Sequence, residues 1–199
     1  MKSSTYDRLI DSGAILFAQK GFYGTSIRDI AEQVGISKQA LLHHFATKEK
    51  LYGEVLARIA DNLVTGLENI IGEKQSPREQ IDIAINKLFE WMSDDVDSAR
   101  VLLRELLDNP ERAPHAVNWY LNPLLEALTA IVKRGQKEGV FKKVSPLAFI
   151  YNILGAQHYF IVSLPTLKQM LSAQDYKILL KDQHKELKAM MISRLLVDN

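Results

Sequence analysis

The side chains best suited to chemistry with a partner lie between Thr25 and Lys48. Lys38, Gln39, Leu42 and His43 fall at spacings that put them largely on one face of a short helix, and Arg28 stands on the helix before it. Lysine suits guanine acceptors, glutamine can bind adenine through two hydrogen bonds, and leucine can cover a thymine methyl. Thr25, Ser26 and Ser37 put hydroxyls where helices begin, and the free backbone N–H groups of a helix start favour anions. With His44 and Lys48 they make a set able to hold phosphates. No carboxylate occurs from Ser37 to Phe45, so the outward face is polar and partly basic. The chemistry this set offers is binding of double-stranded DNA: Thr25, Ser26, Ser37, His44 and Lys48 on phosphates, and Lys38, Gln39, Leu42, His43 and Arg28 towards the major groove.

Other chemistries lack their residues. There is no cysteine, hence neither a disulfide framework nor thiolate chemistry. His43 and His44 are adjacent on a helix and point about 100° apart, a poor metal pair. His115, His158 and His184 stand alone, without an H-x-x-x-H partner. Asp94, Asp95 and Asp97 lack the glycine and terminal glutamate of a calcium loop. No P-loop, GxGxxG or G-x-S-x-G is present. The chain is therefore expected to hold no metal and no cofactor and not to be an enzyme.

The elements that must position the DNA-facing set can be read from the same stretch. Ser26 and Asp29 fit a capping box. Ile27, Ile30, Ala31 and Val34 then trace the apolar stripe of a helix. Gly35 stands where a helix end wants a left-handed residue, and Ile36 pins the turn. Ser37 caps a second helix that turns Ala40, Leu41, His44 and Phe45 to one side. This is the pattern of a helix-turn-helix, whose second helix enters the major groove; two short helices around a glycine turn also occur in helical proteins that meet no DNA. Before it, residues 5–20 form a helix with Leu9, Ile10, Ala14, Phe17 and Ala18 on one face, ended by Gly21. After it, Thr47 caps a fourth helix running from Lys48 to about Ile71, near 35 Å at about 1.5 Å per residue.

Flanked in this way, the stretch resembles the TetR family of bacterial transcriptional regulators. The resemblance covers about residues 8–55 without a gap. It is carried by Ala14, Phe17, Lys20-Gly21-Phe22, Gly24-Thr25-Ser26, Ile30-Ala31, Val34-Gly35-Ile36-Ser37, Leu41, His44-Phe45, Lys48-Glu49 and Leu51. There are departures. Most members carry a tyrosine where this chain has Leu42, and often a glycine where it has Gln39. That tyrosine usually touches the DNA backbone, and Leu42 cannot repeat its hydroxyl contact.

The rest of the chain reads as helical. Helices are expected from Pro77 to the Asp94–Asp97 break, through Val101–Leu107, from about Ala116 to Lys137, from Pro146 to Ser163 before Pro165, and from about Ala173 to Leu196. The 199 residues carry a net charge of only +1, so DNA affinity must come from a local patch. Residues 1–58 hold eight Lys and Arg against six Asp and Glu, a weak excess on the expected side. The N-terminus lacks a basic-then-apolar signal sequence, and no apolar run approaches the roughly 18 residues of a membrane span. A cytoplasmic protein without a membrane partner is the expectation.

The fold class expected is all-α: a three-helix DNA-binding domain at 1–50, joined by the long fourth helix to a helical domain at 51–199. The resemblance implies that the last two helices pair with their copies in a homodimer, and that the bundle encloses a small-molecule cavity. Trp91, Leu103, Leu107, Trp119, Tyr120, Leu124, Tyr151, Asn152 and His158 are the candidate ligand contacts, with Gln157 as a further polar group. An aromatic and leucine stripe of this kind is also what ordinary core looks like. The function implied is a sequence-specific regulator, a homodimeric repressor released from its operator by a small apolar or amphipathic ligand. The alternative is an all-α small-molecule-binding protein or enzyme using the same pocket.

Overall fold

The structure is a computed structural model that describes residues 4–68, 75–108 and 120–197. Among these, the chain forms nine α-helices and no strand. They are α1 (Thr5–Gly24), α2 (Ile27–Val34), α3 (Lys38–His44), α4 (Lys48–Glu68), α5 (Pro77–Asp94), α6 (Val96–Asp108), α7 (Asn122–Lys137), α8 (Pro146–Met170) and α9 (Ala173–Leu195). Their contacts fall into two compact units. One comprises residues 1–62 and 95–120, the other residues 63–94 and 121–199. Thus α6 belongs with α1–α3, and α4 contributes its first part to one unit and its last turns to the other.

The first unit is built on rings and leucines. Phe17, Phe22 and Tyr52 form an aromatic cluster, with Tyr52 edge-on to Phe17 at 4.8 Å between centroids. Leu9, Ile30, Leu41, Leu51 and Val55 are fully buried around it. From α6, Val101 and Leu102 are also buried, and Arg104 donates to the carbonyls of Ala18 (3.0 Å) and Gln19 (3.2 Å). Those carbonyls sit where α1 runs out of intrahelical partners, at the break marked by Gly21 (φ 72°).

The second unit buries the inward stripes of α5, α7 and α8: Ile81, Ile85 and Leu88, then Leu128 and Val132, then Ile150 and Ile153. Leu187, Met191 and Leu195 do the same for α9. A polar seam links α5 to α9. Lys188 Nζ lies 2.8 Å from the Asp82 carboxylate and donates to Asn86 Oδ1 at 3.1 Å. His184 Nε2 lies 3.0 Å from the same oxygen, and its ring stacks on Phe89 at 4.0 Å. At the end of α7 the backbone of Gly135 faces the ring of Phe141 so closely that a Cβ there would lie 2.1 Å from it.

Several expectations need amending. Helix α8 does not stop before Pro165 but continues to Met170 with the proline inside it. A proline removes one intrahelical hydrogen bond, and the turns on either side hold the helix through it. The same helix is long and apolar enough to cross a membrane by length and composition, contrary to the reading that no run approaches that length. On α3, Ala40 and His44 are exposed, and only Leu41 and the following Phe45 face the core. The expected end of α4 near Ile71 and the start of α7 near Ala116 lie outside the described residues.

Candidate nucleic-acid interface and bundle cavity

The local chemistry of α2 and α3 fixes how their side chains are offered. Ser26 caps α2: its hydroxyl accepts from Asp29 N–H at 3.1 Å, and the Asp29 carboxylate accepts from Ser26 N–H at 3.3 Å. Such caps are worth about 1 kcal/mol. The backbone bonds from Ser26, helped by Lys20 nearby, hold the Asp29 carboxyl below its usual range. Gly35 then turns the chain with φ 77°, a left-handed conformation that a Cβ would strain. Arg8 donates to the Val34 carbonyl and closes that end of α2. Ser37 restarts the helix by accepting from Ala40 N–H at 3.1 Å.

With Leu41 wholly buried beneath it, α3 has one orientation available. Lys38, Gln39 and His43 are exposed, as is His44, and Leu42 is half-buried. Ser26 and Ser37 are exposed at their helix starts. These residues share one exposed segment. Arg28 is also exposed, but its guanidinium is bonded to Glu32 at 2.7 Å one turn along α2. That pair must loosen before Arg28 can face another anion.

Two members of the expected set are placed differently. The Thr25 hydroxyl is buried and donates to the carbonyls of Leu16 (3.1 Å) and Gly21 (2.8 Å). It is spent inside the fold, fastening the end of α1, so its hydroxyl does not hold a phosphate in this arrangement. Lys48 is half-buried: Nζ donates to the carbonyls of Phe22 (2.9 Å) and Thr25 (3.1 Å) and lies 4.3 Å from the centre of the Phe22 ring. Two of its three N–H donors are thus engaged within the protein. Sequence spacing cannot reveal such a role, because its acceptors are backbone atoms more than twenty residues away.

The second unit contains a cavity of about 240 Å³ formed by the last turns of α4 with α5 and α7. Val64, Leu67, Leu124, Leu128 and Ile131 supply apolar wall, and Gln80 and Arg134 are its polar groups. Of the candidate ligand contacts among the described residues, only Leu124 lines it. Trp91 is half-buried elsewhere on α5. Tyr151 and Asn152 are exposed on α8. His158 Nδ1 lies 2.9 Å from the carbonyl of Leu154, and burial holds its imidazole below the ordinary histidine range. Leu103, Leu107 and Tyr120 belong to the first unit, with Leu107 and Tyr120 exposed. Trp119 lies outside the described residues. Gln157, by contrast, is buried with neither amide atom hydrogen-bonded. Arg134 and Gln80 escaped the sequence reading because a charged and an amide residue inside amphipathic helices look like surface. Among the described residues no cluster of histidine and carboxylate side chains suits a metal ion.

The chain matches the family model of the bacterial regulatory proteins of the tetR family over residues 9–55. Residues 77–193 match the model of a tetracyclin repressor-like C-terminal domain. Among curated relatives, the transcriptional regulator RutR of Escherichia coli K12 is 31% identical over 144 residues, covering 72% of this chain and 68% of RutR. The transcriptional activator FasR of Mycolicibacterium smegmatis is 28% identical over 95 residues, covering 48% of this chain and 43% of FasR. Among solved structures, the regulator FadR of Bacillus subtilis in complex with stearoyl-CoA superposes with a TM-score of 0.75 at 20% identity, over 95% of this chain and 98% of that one.

Proposed function

The chain belongs to the tetR family of bacterial regulatory proteins, a family of DNA-binding transcriptional regulators, and on that premise we propose how this member works. It is a homodimeric repressor that releases its operator when a small apolar or amphipathic molecule enters the helical bundle. It acts in the cytoplasm, by binding and not by catalysis. Residues 1–50 read DNA, and residues 51–199 bind the effector and pair the two copies.

The observation that carries this reading is the face of α3. A helix pinned by Leu41 and capped at both junctions presents Lys38, Gln39, Leu42 and His43 with no carboxylate among them. Lys38 and Gln39 meet base edges, Leu42 covers a thymine methyl in place of the family's tyrosine contact, and His43 reaches the groove beside them. Ser26, Ser37 and His44 hold phosphates, and Arg28 joins them when its bond to Glu32 opens. Lys48 offers its third N–H to a phosphate while its other two brace the protein.

Pairing is supported by the apolar side chains that α8 and α9 leave exposed, among them Tyr151, Tyr159, Ile178 and Met190. Two-fold related heads then meet half-sites about 34–36 Å apart. The ligand acts only in so far as it binds the DNA-incompetent arrangement better. A coupling of about 1–3 kcal/mol corresponds to roughly 5–150-fold in operator affinity. The fatty-acyl thioester held by FadR supports a ligand with an apolar body.

The test has two steps. DNA selected from a random pool at fixed salt gives the operator; a two-fold symmetric site is expected. Titrating candidate effectors against the protein–operator complex then gives the coupling, and operator DNA must weaken effector binding by the same factor. Selection without any sequence preference would reject the regulator reading, and an operator affinity indifferent to every bound ligand would reject the switch.

A further inference from the structure

Among the described residues, the wall of the α4–α5–α7 cavity contains one charged side chain, Arg134, set among Val64, Leu67, Leu124, Leu128 and Ile131. Its guanidinium is held from behind. Nη2 donates to the Gln75 backbone carbonyl at 2.9 Å and to Gln80 Oε1 at 2.8 Å, and Gln80 is itself buried. Nε is buried and has no hydrogen-bond partner. The carboxylate of Glu138, one turn along α7 and half exposed to water, stands 3.5 Å from Nε in an ion pair. A guanidinium carries five N–H donors; here the two on Nη2 are taken by Gln75 and Gln80, and Nε makes no hydrogen bond within the described residues. The Arg134 side chain is itself 38% exposed, so the donors neither bonded nor buried within the protein meet water and stay available to an incoming acceptor.

We infer that this cavity takes an organic monoanion, with a carboxylate head on Arg134 and an apolar body lying between α4, α5 and α7. This rests on reading the bundle as the effector domain. A volume of about 240 Å³ holds roughly eight to twelve non-hydrogen atoms at about 20–30 Å³ each. That is below the usual range for drug-sized ligands, so the body is short. A single cation whose charge is already shared with Glu138 favours one negative charge over two, which selects a carboxylate over a phosphate ester. An amine head would meet the guanidinium's own charge. A neutral alcohol could accept a hydrogen bond but would forgo the stronger charge-assisted one.

The probes are octanoate, octanol and octylamine, which share one apolar body and differ in the head. Titration calorimetry on the full chain at fixed salt should rank octanoate above octanol by about tenfold or more, the equivalent of one charge-assisted hydrogen bond. Octylamine should bind least. Arg134→Gln should erase the preference for octanoate and leave octanol binding in place. Arg134→Lys should keep part of it, since the charge stays while the fork is lost. Glu138→Gln should tighten octanoate several-fold by removing the competing carboxylate. Equal affinities for octanoate and octanol, no binding of either, or a preference that survives Arg134→Gln would overturn the assignment. If Arg134→Gln does not fold, Glu138→Gln decides: unchanged octanoate affinity there overturns it as well. Operator affinity, measured alongside, separates this inference from the reading beneath it. Head-selective binding that leaves operator affinity unchanged upholds the anion site and removes its role as a switch. Release of the operator by another compound while octanoate fails to bind does the reverse.

Discussion

The ammonium of Lys48 sits 4.3 Å above the ring of Phe22 and donates to that residue's own carbonyl at 2.9 Å, so one side chain closes the end of α1 through both the ring and the backbone of a single neighbour. A cation at this end of a helix meets carbonyls with no intrahelical partner and the negative pole of the dipole. A cation over a ring adds about 0.5–1 kcal/mol or more. We therefore expect Lys48→Ala to lower stability by about 1–3 kcal/mol, read as a shift in the urea midpoint. It should also reduce the log–log salt slope of operator binding by roughly 0.9 per phosphate lost. A stability loss with an unaltered slope would assign Lys48 to the fold alone.

Gln39 is exposed on α3 with the helix locked beneath it by Leu41. Replacing it by Ala should relax base preference at one position of each half-site, at about 1–3 kcal/mol, and leave the other positions unchanged. Repeating the pool selection with the variant measures this. Identical selected sequences would remove Gln39 from the base-reading set.

Tyr159 is 76% exposed on α8 and Met190 is 57% exposed on α9, large apolar groups that a second copy would cover. Tyr159→Glu or Met190→Glu should split the dimer and cost operator affinity through loss of paired heads. Light scattering at micromolar concentration reports the mass. Met191 is the wrong place for this test because it is buried within its own chain. A wild-type protein that scatters as a monomer would refute the paired-head arrangement.

His184 is held below the ordinary histidine range, first by burial and then by the charge of Lys188, while Glu90 and Asp82 pull the other way. Its folded form therefore resists a proton that the unfolded chain accepts. As pH falls below about 6.5, the unfolded state binds more protons and stability declines, levelling once the folded state also protonates. His158, depressed by burial, acts in the same direction. The urea midpoint should fall between about pH 7.5 and pH 5.5, and His184→Gln should flatten part of that fall. A midpoint that rises over this interval would contradict the sign.

The N-terminal helices could be read nearly residue by residue because their signals are local. Ser26 with Asp29, Gly35 and Ser37 fix caps and turn within a dozen residues, and each occurs where expected. Thr25 and Lys48 were harder. A threonine before a helix and a lysine at a helix start carry the same local signal whether they face water or a carbonyl from α1. Their true partners lie across the fold. The cavity was harder still. Trp91, Tyr151 and Asn152 drew attention by residue type, yet a wall is made by whichever residues three helices happen to turn inward. On α7 and α5 those include Arg134 and Gln80, whose polarity argues for solvent until their neighbours are known. Pro165 misled for the opposite reason: its local signal says stop, and the long apolar helix around it overrides one lost hydrogen bond.

The close approach of Phe141 to Gly135 sets a trap for anyone wishing to toughen this protein. A glycine within a helix is the first substitution a stabilising design would make, since alanine there is ordinarily worth about 0.5–1 kcal/mol. At this position the added methyl would collide with a ring that is itself 96% enclosed and has nowhere to retreat. The backbone of Phe141 pairs with that of Leu196 in the short bridge that follows α9, so a displaced Phe141 would also loosen that pairing. Any side chain at position 135 must therefore shift the Phe141 ring, and a mutational survey should find the position intolerant for a reason that has nothing to do with DNA.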